Sequence, residues 1–404
     1  MHEHTGKIKG ESSLSCDSTA EKGASVMLYS IPDYYKEFHC VAGACEDTCC
    51  AGWQIVVDPK SLQKYKRVQG DFKNQLQKGL NRKKKVFRQD QEKRCAFLNE
   101  ENLCEMYVHM GADSLCKTCR LYPRHVEEFE SVREITLSLS CPEVARILMN
   151  RTRPVHFLTV EKEGEEEYED FDPFLYSELL DARDVIRKIL QNRSIPLEVR
   201  QGLVYGIAHD MQHRADRREL FSCGEVLEKY QKDSAVKFVS GRVKSNSNDW
   251  EKQFDFAKKM FRYLHKLELL KEDWEYLLLE TEEQLYLDHT AEEYHKISEG
   301  FDVWTKENHY PWEIQKEQLL VYFIDTYFCG AVYDGQVLPK AQMALICTDL
   351  LEELVKTRWM CNEKTLDIED VIEIVYRFSR EIEHSDRNLK RMEEMMPKTH
   401  ARYC

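Results

Sequence analysis

The stretch Phe38–Trp53, FHCVAGACEDTCCAGW, places Cys40, Cys45, Cys49 and Cys50 within one short segment. Thiols this crowded imply a metal site, a disulfide knot or a redox pair. Which of these holds decides whether the first part of the chain is organised around an ion or around an ordinary apolar core. The surrounding sequence favours the ion. Nine of the 15 cysteines fall between Cys40 and Cys141. Downstream of the opening stretch come CAFLNEENLC, with Cys95 and Cys104 on either side of a polar turn, and CKTCRLYPR, a C-x-x-C pair at Cys116 and Cys119 followed by Pro123. Cys141 completes the set. A C-x-x-C turn lets two sulfurs reach one ion while backbone amides face them. Several such groups outside a secretory context indicate metal rather than disulfides. All nine are therefore candidate ligands. Cys16, Cys223, Cys329, Cys347, Cys361 and Cys404 have no ligand-spaced neighbour and read as buried small hydrophobes or idle thiols.

Working outward, the 404 residues and 42% hydrophobic content allow a sizeable core without covalent staples. The net charge of −14 argues against a nucleic-acid binder. That charge is uneven: the first 150 residues hold 22 Lys and Arg against 21 Asp and Glu, a balance of +1, so the remainder carries −15. The opening MHEHTGKIKGESSLSCDSTAEKGAS has no apolar run of the secretory kind. LLVYFIDTYFCGAVY, residues 319–333, is too short to span a bilayer and contains Asp325. A soluble cytoplasmic protein is expected, with peripheral membrane association left open.

Four segments follow: a disordered polar tail over 1–27, a cysteine-rich metal-binding domain over 28–150, an acidic linker over 151–174 and a helical domain over 175–404. WQIVVD reads as a short strand, and KSLQKYKRVQGDFKNQLQKGLNRKKK as one or two polar helices. In the last segment the pattern is helical almost throughout. EDVIEIVYRFSREIEH places Val371, Val375, Phe378 and Ile382 on one helix face. WEIQKEQLLVYFIDTYFCGAVYD and LPKAQMALICTDLLEELVKTRW read as two long apolar helices. The expected class is mainly α, with short irregular or strand segments confined to the cysteine-rich part. No G-x-G-x-x-G or P-loop occurs, and the first cysteine cluster is not a C-x-x-x-C-x-x-C because Gly52 stands at its last position.

The blocks YYKEFHCVAGACEDTCCAGWQIVVD, CAFLNEENLCEMY, CKTCRLYPR and LSLSCPEVAR, in this order and spacing, resemble the flagellin lysine-N-methylase family. That family lies within a wider group of cysteine-rich zinc- or iron-chelating proteins. A looser similarity runs on to YRFSREIEHSDRN, Tyr376–Asn388, so the resemblance covers most of the chain after about Leu28. It implies methyl transfer from S-adenosylmethionine to lysine ε-amines of flagellin, and an iron–sulfur cluster of the 4Fe–4S kind, with zinc as the alternative metal. The residues alone reach only a metal-binding cysteine domain joined to a helical body. That leaves a non-enzymatic metal-binding or electron-transfer protein, or a zinc-stabilised adaptor, as alternative readings.

Methylation needs a neutral amine, and a lysine starts protonated with a reference pKa near 10.4. Asp47 and His384 are the candidate groups for that proton, against plainer roles as a turn-forming aspartate and a helix-end histidine. Trp53 is a candidate to stack on adenine, although a core aromatic beside the metal is the commoner role. Arg120 and Arg124 flank Tyr122–Pro123 and are candidates to hold a carboxylate or balance thiolate charge.

Overall fold

The computed structural model describes residues 25–164 and 170–395. Residues 1–24 of the tail expected over 1–27, Cys16 and Cys404 lie outside the described residues.

Six strands occur among the described residues: β1 (Ser25–Pro32), β2 (Leu80–Asn81), β3 (Val86–Phe87), β4 (Arg124–Phe129), β5 (Val132–Leu137) and β6 (Phe157–Gly164). Four of them form one sheet in the order β4-β5-β1-β6. β4 and β5 make an antiparallel hairpin, and β6 runs antiparallel to β1. β1 and β5 are parallel, with Leu28 opposite Val132 and Tyr29 opposite Arg133. β2 and β3 form a separate small hairpin. The expected WQIVVD strand is reduced to extended backbone in which Val56 bridges Val86.

Short helices carry the cysteine-rich part: α1 (Pro59–Arg67), α2 (Lys73–Gly79), α3 (Glu105–Met110), α4 (Lys117–Leu121) and α5 (Pro142–Met149). Asp58 starts α1 by accepting the Ser61 amide, with Pro59 preset in the first turn. The body follows as α6 (Pro173–Leu190), α7 (Leu197–Asp216), α8 (Cys223–Tyr230), α9 (Asp233–Asn246), α10 (Trp250–Leu264), α11 (Glu272–Glu282), α12 (Ala291–Glu307), α13 (Trp312–Tyr327), α14 (Val337–Cys361), α15 (Ile368–Glu383) and α16 (Asp386–Met395). α13 and α14 are buried on nearly every side, as their continuous apolar sequences require. α15 opens with a capping box between Asp367 and Asp370 and buries Val371, Val375, Phe378 and Ile382. The mainly α class holds.

The cysteine-rich part does not pack as one unit. Ile55, Val57, Tyr65, Leu76, Leu80, Phe87, Phe97 and Met106 form a small core with Cys95 and Cys116. The sheet residues Phe129 and Leu137, and Val144 and Leu148 of α5, belong instead to the large core of the helical body. The stretch read as an acidic linker contains β6 over Phe157–Gly164. The reason is that β6 is an edge strand, largely exposed, so it lacks the alternation of a half-buried strand. Val26 and Met27, expected in the tail, pair with it in β1.

Candidate metal centre and its interface with the helical body

Backbone turns set the sulfur positions. The Cys95 amide donates to the Cys50 carbonyl at 2.8 Å, tying the first cysteine loop to the second. Leu98 bridges Cys104 across the polar turn, so Cys95 and Cys104 approach one another. Cys104, Cys116 and Cys141 each stand immediately before a short helix, α3, α4 and α5 respectively. Free amides there face the sulfur: those of Met106 and Tyr107 at Cys104, of Thr118 and Cys119 at Cys116, and of Glu143 and Val144 at Cys141. Thr118 Oγ1 donates to the Val56 carbonyl at 2.8 Å, and the Cys116 thiol lies 3.7 Å from the same oxygen.

Burial works against ionising these thiols on their own. It pushes Cys95 up to about 12, with Cys50, Cys104 and Cys116 as neighbours adding to the effect. It pushes Cys141 up to about 11, with Cys45 adding to it and Arg380 opposing it. Two pairs share hydrogen bonds. The bond from Cys49 lowers Cys50 to about 7 while raising Cys49, and that between Cys116 and Cys119 lowers Cys116 while raising Cys119. Every cysteine among the described residues is a free thiol. Amide-cradled sulfurs are a donor set that suits zinc or iron. Among the described residues no group of three ligating side chains already converges on one point, so the sulfurs stand as pairs and near neighbours rather than as a finished cage.

The cysteine loop is held from outside by α15. Arg380 is 4% exposed. Its guanidinium donates to the carbonyls of Asp47, Thr48 and Ser140, and forms an ion pair with Asp47 Oδ1 at 2.6 Å. Lys271, on the loop between α10 and α11, reaches the same carboxylate oxygen at 2.5 Å. Gly52, at φ +87°, leaves room for it: a Cβ there would come within 3.1 Å of the Lys271 side chain. Glu381 anchors that loop by accepting the amides of Leu270 and Lys271, both at 2.9 Å. Lys93 of the cysteine-rich part donates to the Leu270 carbonyl.

Beside this clamp lie three rings and a chain of hydroxyls. His384 packs at a tilt of 31° against Trp53 with centroids 4.4 Å apart and meets Tyr122 edge-on at 5.6 Å. Its Nε2 is 2.9 Å from Ser140 Oγ. Ser140 Oγ is 2.6 Å from Ser138 Oγ, which donates to Glu383 Oε2 at 2.6 Å. Tyr322 donates to the same carboxylate oxygen at 2.8 Å. Burial, then the positive charges of Arg380 and Lys271, hold His384 down to about 3, so the imidazole is neutral at neutral pH.

The sequence candidates are thus distributed unevenly. Asp47 is a tether between two cations, and Trp53 donates from Nε1 to the Cys49 carbonyl at 2.7 Å within the loop itself. His384 joins them at the interface. Arg120 is exposed on α4. Arg124 points elsewhere, donating to Tyr35 Oη at 2.6 Å on the wall of a sheet-face cleft of about 1010 Å³. Sequence reasoning missed Arg380, Glu381, Lys271 and Ser140. The pattern of α15 gave no signal for Arg380, which at helical spacing falls opposite the face of Val371, Phe378 and Ile382 and is buried only because the cysteine loop covers that side.

Comparison with known proteins places both halves. Residues 39–141 match the CxxCxxCC family, described as "Putative zinc- or iron-chelating domain". The chain is 29% identical over 127 residues to the lysine-N-methylase of Salmonella typhimurium, covering 30% of this chain and 32% of that protein. The same identity and span relate it to the flagellar biosynthetic protein FliU of Salmonella muenchen, covering 75% of that protein. The alignment therefore spans about a third of the length of the lysine-N-methylases it matches. No solved structure matches. Residues 183–402 match the FliB lysine N-methylase C-terminal domain, more than half of the chain, and the chain belongs to that family.

Proposed function

We propose that this protein is a lysine N-methyltransferase acting on flagellin, with S-adenosylmethionine as methyl donor and a cysteine-bound metal of the iron–sulfur kind. The observation that carries the reading is the clamp: the family's C-terminal segment supplies Arg380 and His384, and both close directly on the chelating loop. The names of the relatives support lysine as the target, and FliU supports a flagellar setting. Free thiols in this number suit a reducing cytoplasm. No helix among the described residues is long and apolar enough to cross a membrane.

In the transfer, the sulfonium carbon–sulfur bond breaks as the lysine nitrogen–carbon bond forms, leaving S-adenosylhomocysteine, and the ammonium proton must leave first. At the interface His384, Ser140, Ser138 and Glu383 form one hydrogen-bonded chain along which that proton can move, and burial holds the Glu383 carboxyl above its usual range, which favours its taking up a proton. Trp53 and Tyr122 pack beside His384 at the start of that path, and Arg380 with Lys271 fixes the loop through Asp47. Cys45, Cys49, Cys50, Cys95, Cys104, Cys116, Cys119 and Cys141, with Cys40 at the rim, would hold the metal. Such a centre supplies loop rigidity or one-electron chemistry.

The test is to incubate anaerobically purified, metal-replete protein with isotopically labelled S-adenosylmethionine and flagellin from the same organism, followed by peptide mass spectrometry. Mono-, di- or trimethyl increments on lysines are expected. Unmodified flagellin, with metal content confirmed, would sink the methylase reading and leave a metal-binding or electron-transfer protein.

A further inference from the structure

We infer that the nine cysteines serve two separate metal centres, an interior one drawn from Cys50, Cys95, Cys104, Cys116 and Cys119, and an interface one drawn from Cys40, Cys45, Cys49 and Cys141. This rests on the metal reading above and adds a division that sequence spacing does not reveal.

The first argument is packing. Cys95 and Cys116 are members of the small apolar core, and Cys50, Cys104 and Cys119 pack against it. None of the other four belongs to that core, and Cys141 is part of the large one. Five sulfurs packed in and against one core with Tyr65, Phe87 and Phe97 are enough in number for a tetrathiolate site for a thiophilic divalent ion, with one to spare.

The second argument is how the backbone is tied. Interior cysteines are joined to one another, Cys50 to Cys95 by a ladder-type bond and Cys95 to Cys104 through the Leu98 bridge. Interface cysteines are joined by Arg380 instead. One guanidinium holds the carbonyls of Asp47 and Thr48, which lie between Cys45 and Cys49, and also the carbonyl of Ser140, which precedes Cys141. That single buried cation therefore fixes the spacing of Cys45, Cys49 and Cys141 and supplies positive charge to balance thiolates there. Cys40 is exposed at the rim, so the interface centre has a side open to ligand exchange, whereas Cys116 is fully buried. Cys49 and Cys50 mark the border.

The experiment uses the full metal-loaded chain and two readouts. In metal analysis with labile sulfide, Cys116→Ser is expected to lose the interior complement and keep the interface one, Cys45→Ser the reverse, and the double variant both. In the unmodified protein, increasing EDTA followed by N-ethylmaleimide and peptide mapping is expected to release Cys45, Cys49 and Cys141 to alkylation at lower chelator than Cys95, Cys104, Cys116 and Cys119. This second readout does not require either variant to fold. Release of all these thiols in one step, or complete metal loss from either single variant, overturns the partition while leaving a metal protein. A chain that binds no metal, with its thiols alkylated equally with and without chelator, overturns the metal reading and the partition together.

Discussion

The two apolar cores of this molecule are built by different means. The large one rests on long helices, two of which, α13 and α14, are buried almost all round, so its order comes from apolar area removed from water. The small one is assembled from α1 to α4, of 9, 7, 6 and 5 residues, and a hairpin with two residues per strand. Helices this short are not stable on their own, and a core this small gains too little from burial to hold irregular loops in place. Cysteines occupy the positions where such a core would otherwise need more apolar volume. On the metal reading proposed above, the small lobe is a metal-organised module seated on a helical body with a core of its own.

The strongest way to break this contrast is to remove the metal. Structural sites of this type contribute on the order of 10 kcal/mol to folding. Chelation should therefore expose the amides of 50–119 to hydrogen exchange while those of α13 and α14 remain protected. Uniform loss of protection across both regions would show that the lobes do not differ in this way.

The clamp comes next. Arg380→Ala leaves the Asp47 carboxylate with only Lys271 as ion-pair partner, removes the guanidinium bond to Ser140, and leaves the Asp47 and Thr48 carbonyls with only the Cys45 thiol and the Ala51 amide. Breaking a buried pair costs about 3–5 kcal/mol, and thermal unfolding should report a loss of that size. Arg380→Lys should recover part of it, because a single ammonium cannot span the Asp47, Thr48 and Ser140 oxygens together.

A smaller loss tests the packing of the small core. A Cβ at Gly79 would stand 2.4 Å from the Phe97 ring. Gly79→Ala should cost about 1–3 kcal/mol by overpacking. Phe97→Leu in the same background should return some of it, and denaturant titration of the double variant checks this.

The interface also carries a pH signature. His384 has its pKa depressed to about 3 in the folded chain against 6.5 in the unfolded one. The unfolded state therefore binds the proton first, and stability present above pH 6.5 is lost as pH falls toward 3. Between pH 7 and pH 5 this amounts to about 2 kcal/mol. His384→Gln should flatten the difference in urea midpoints between those two pH values; an unchanged slope would assign the pH dependence to another group. Smallest of all, Cys361→Ser, at an exposed thiol, should change stability by less than about 0.5 kcal/mol and leave metal content alone.

The sequence made the helical body legible because α13, α14 and α15 carry long apolar patterns that only helices of that length accommodate. The chelating region over 39–141 was legible because thiols have few other uses at such density. The sheet was not. β6 is an exposed edge whose acidic residues mimic a linker, and β1 pairs in parallel with β5 across a stretch that no local pattern connects. The clamp was hidden for a related reason. Asp47 and Arg380 are 333 residues apart, and nothing in a single sequence indicates that a turn aspartate and a helix arginine will meet.

The parallel pairing of β1 with β5 has a kinetic consequence. Leu28 finds Val132 only after the chain between them, which contains the entire small lobe, has been brought round. A flexible connection of about 100 residues closes less readily than one of about 20 by about 1.4 kcal/mol of loop entropy. An ion that condenses the lobe early shortens the effective tether, and so speeds zippering of a sheet that contains none of its ligands. Refolding rates of the body strands should then rise with metal concentration, making the ion a folding catalyst for a region it never touches.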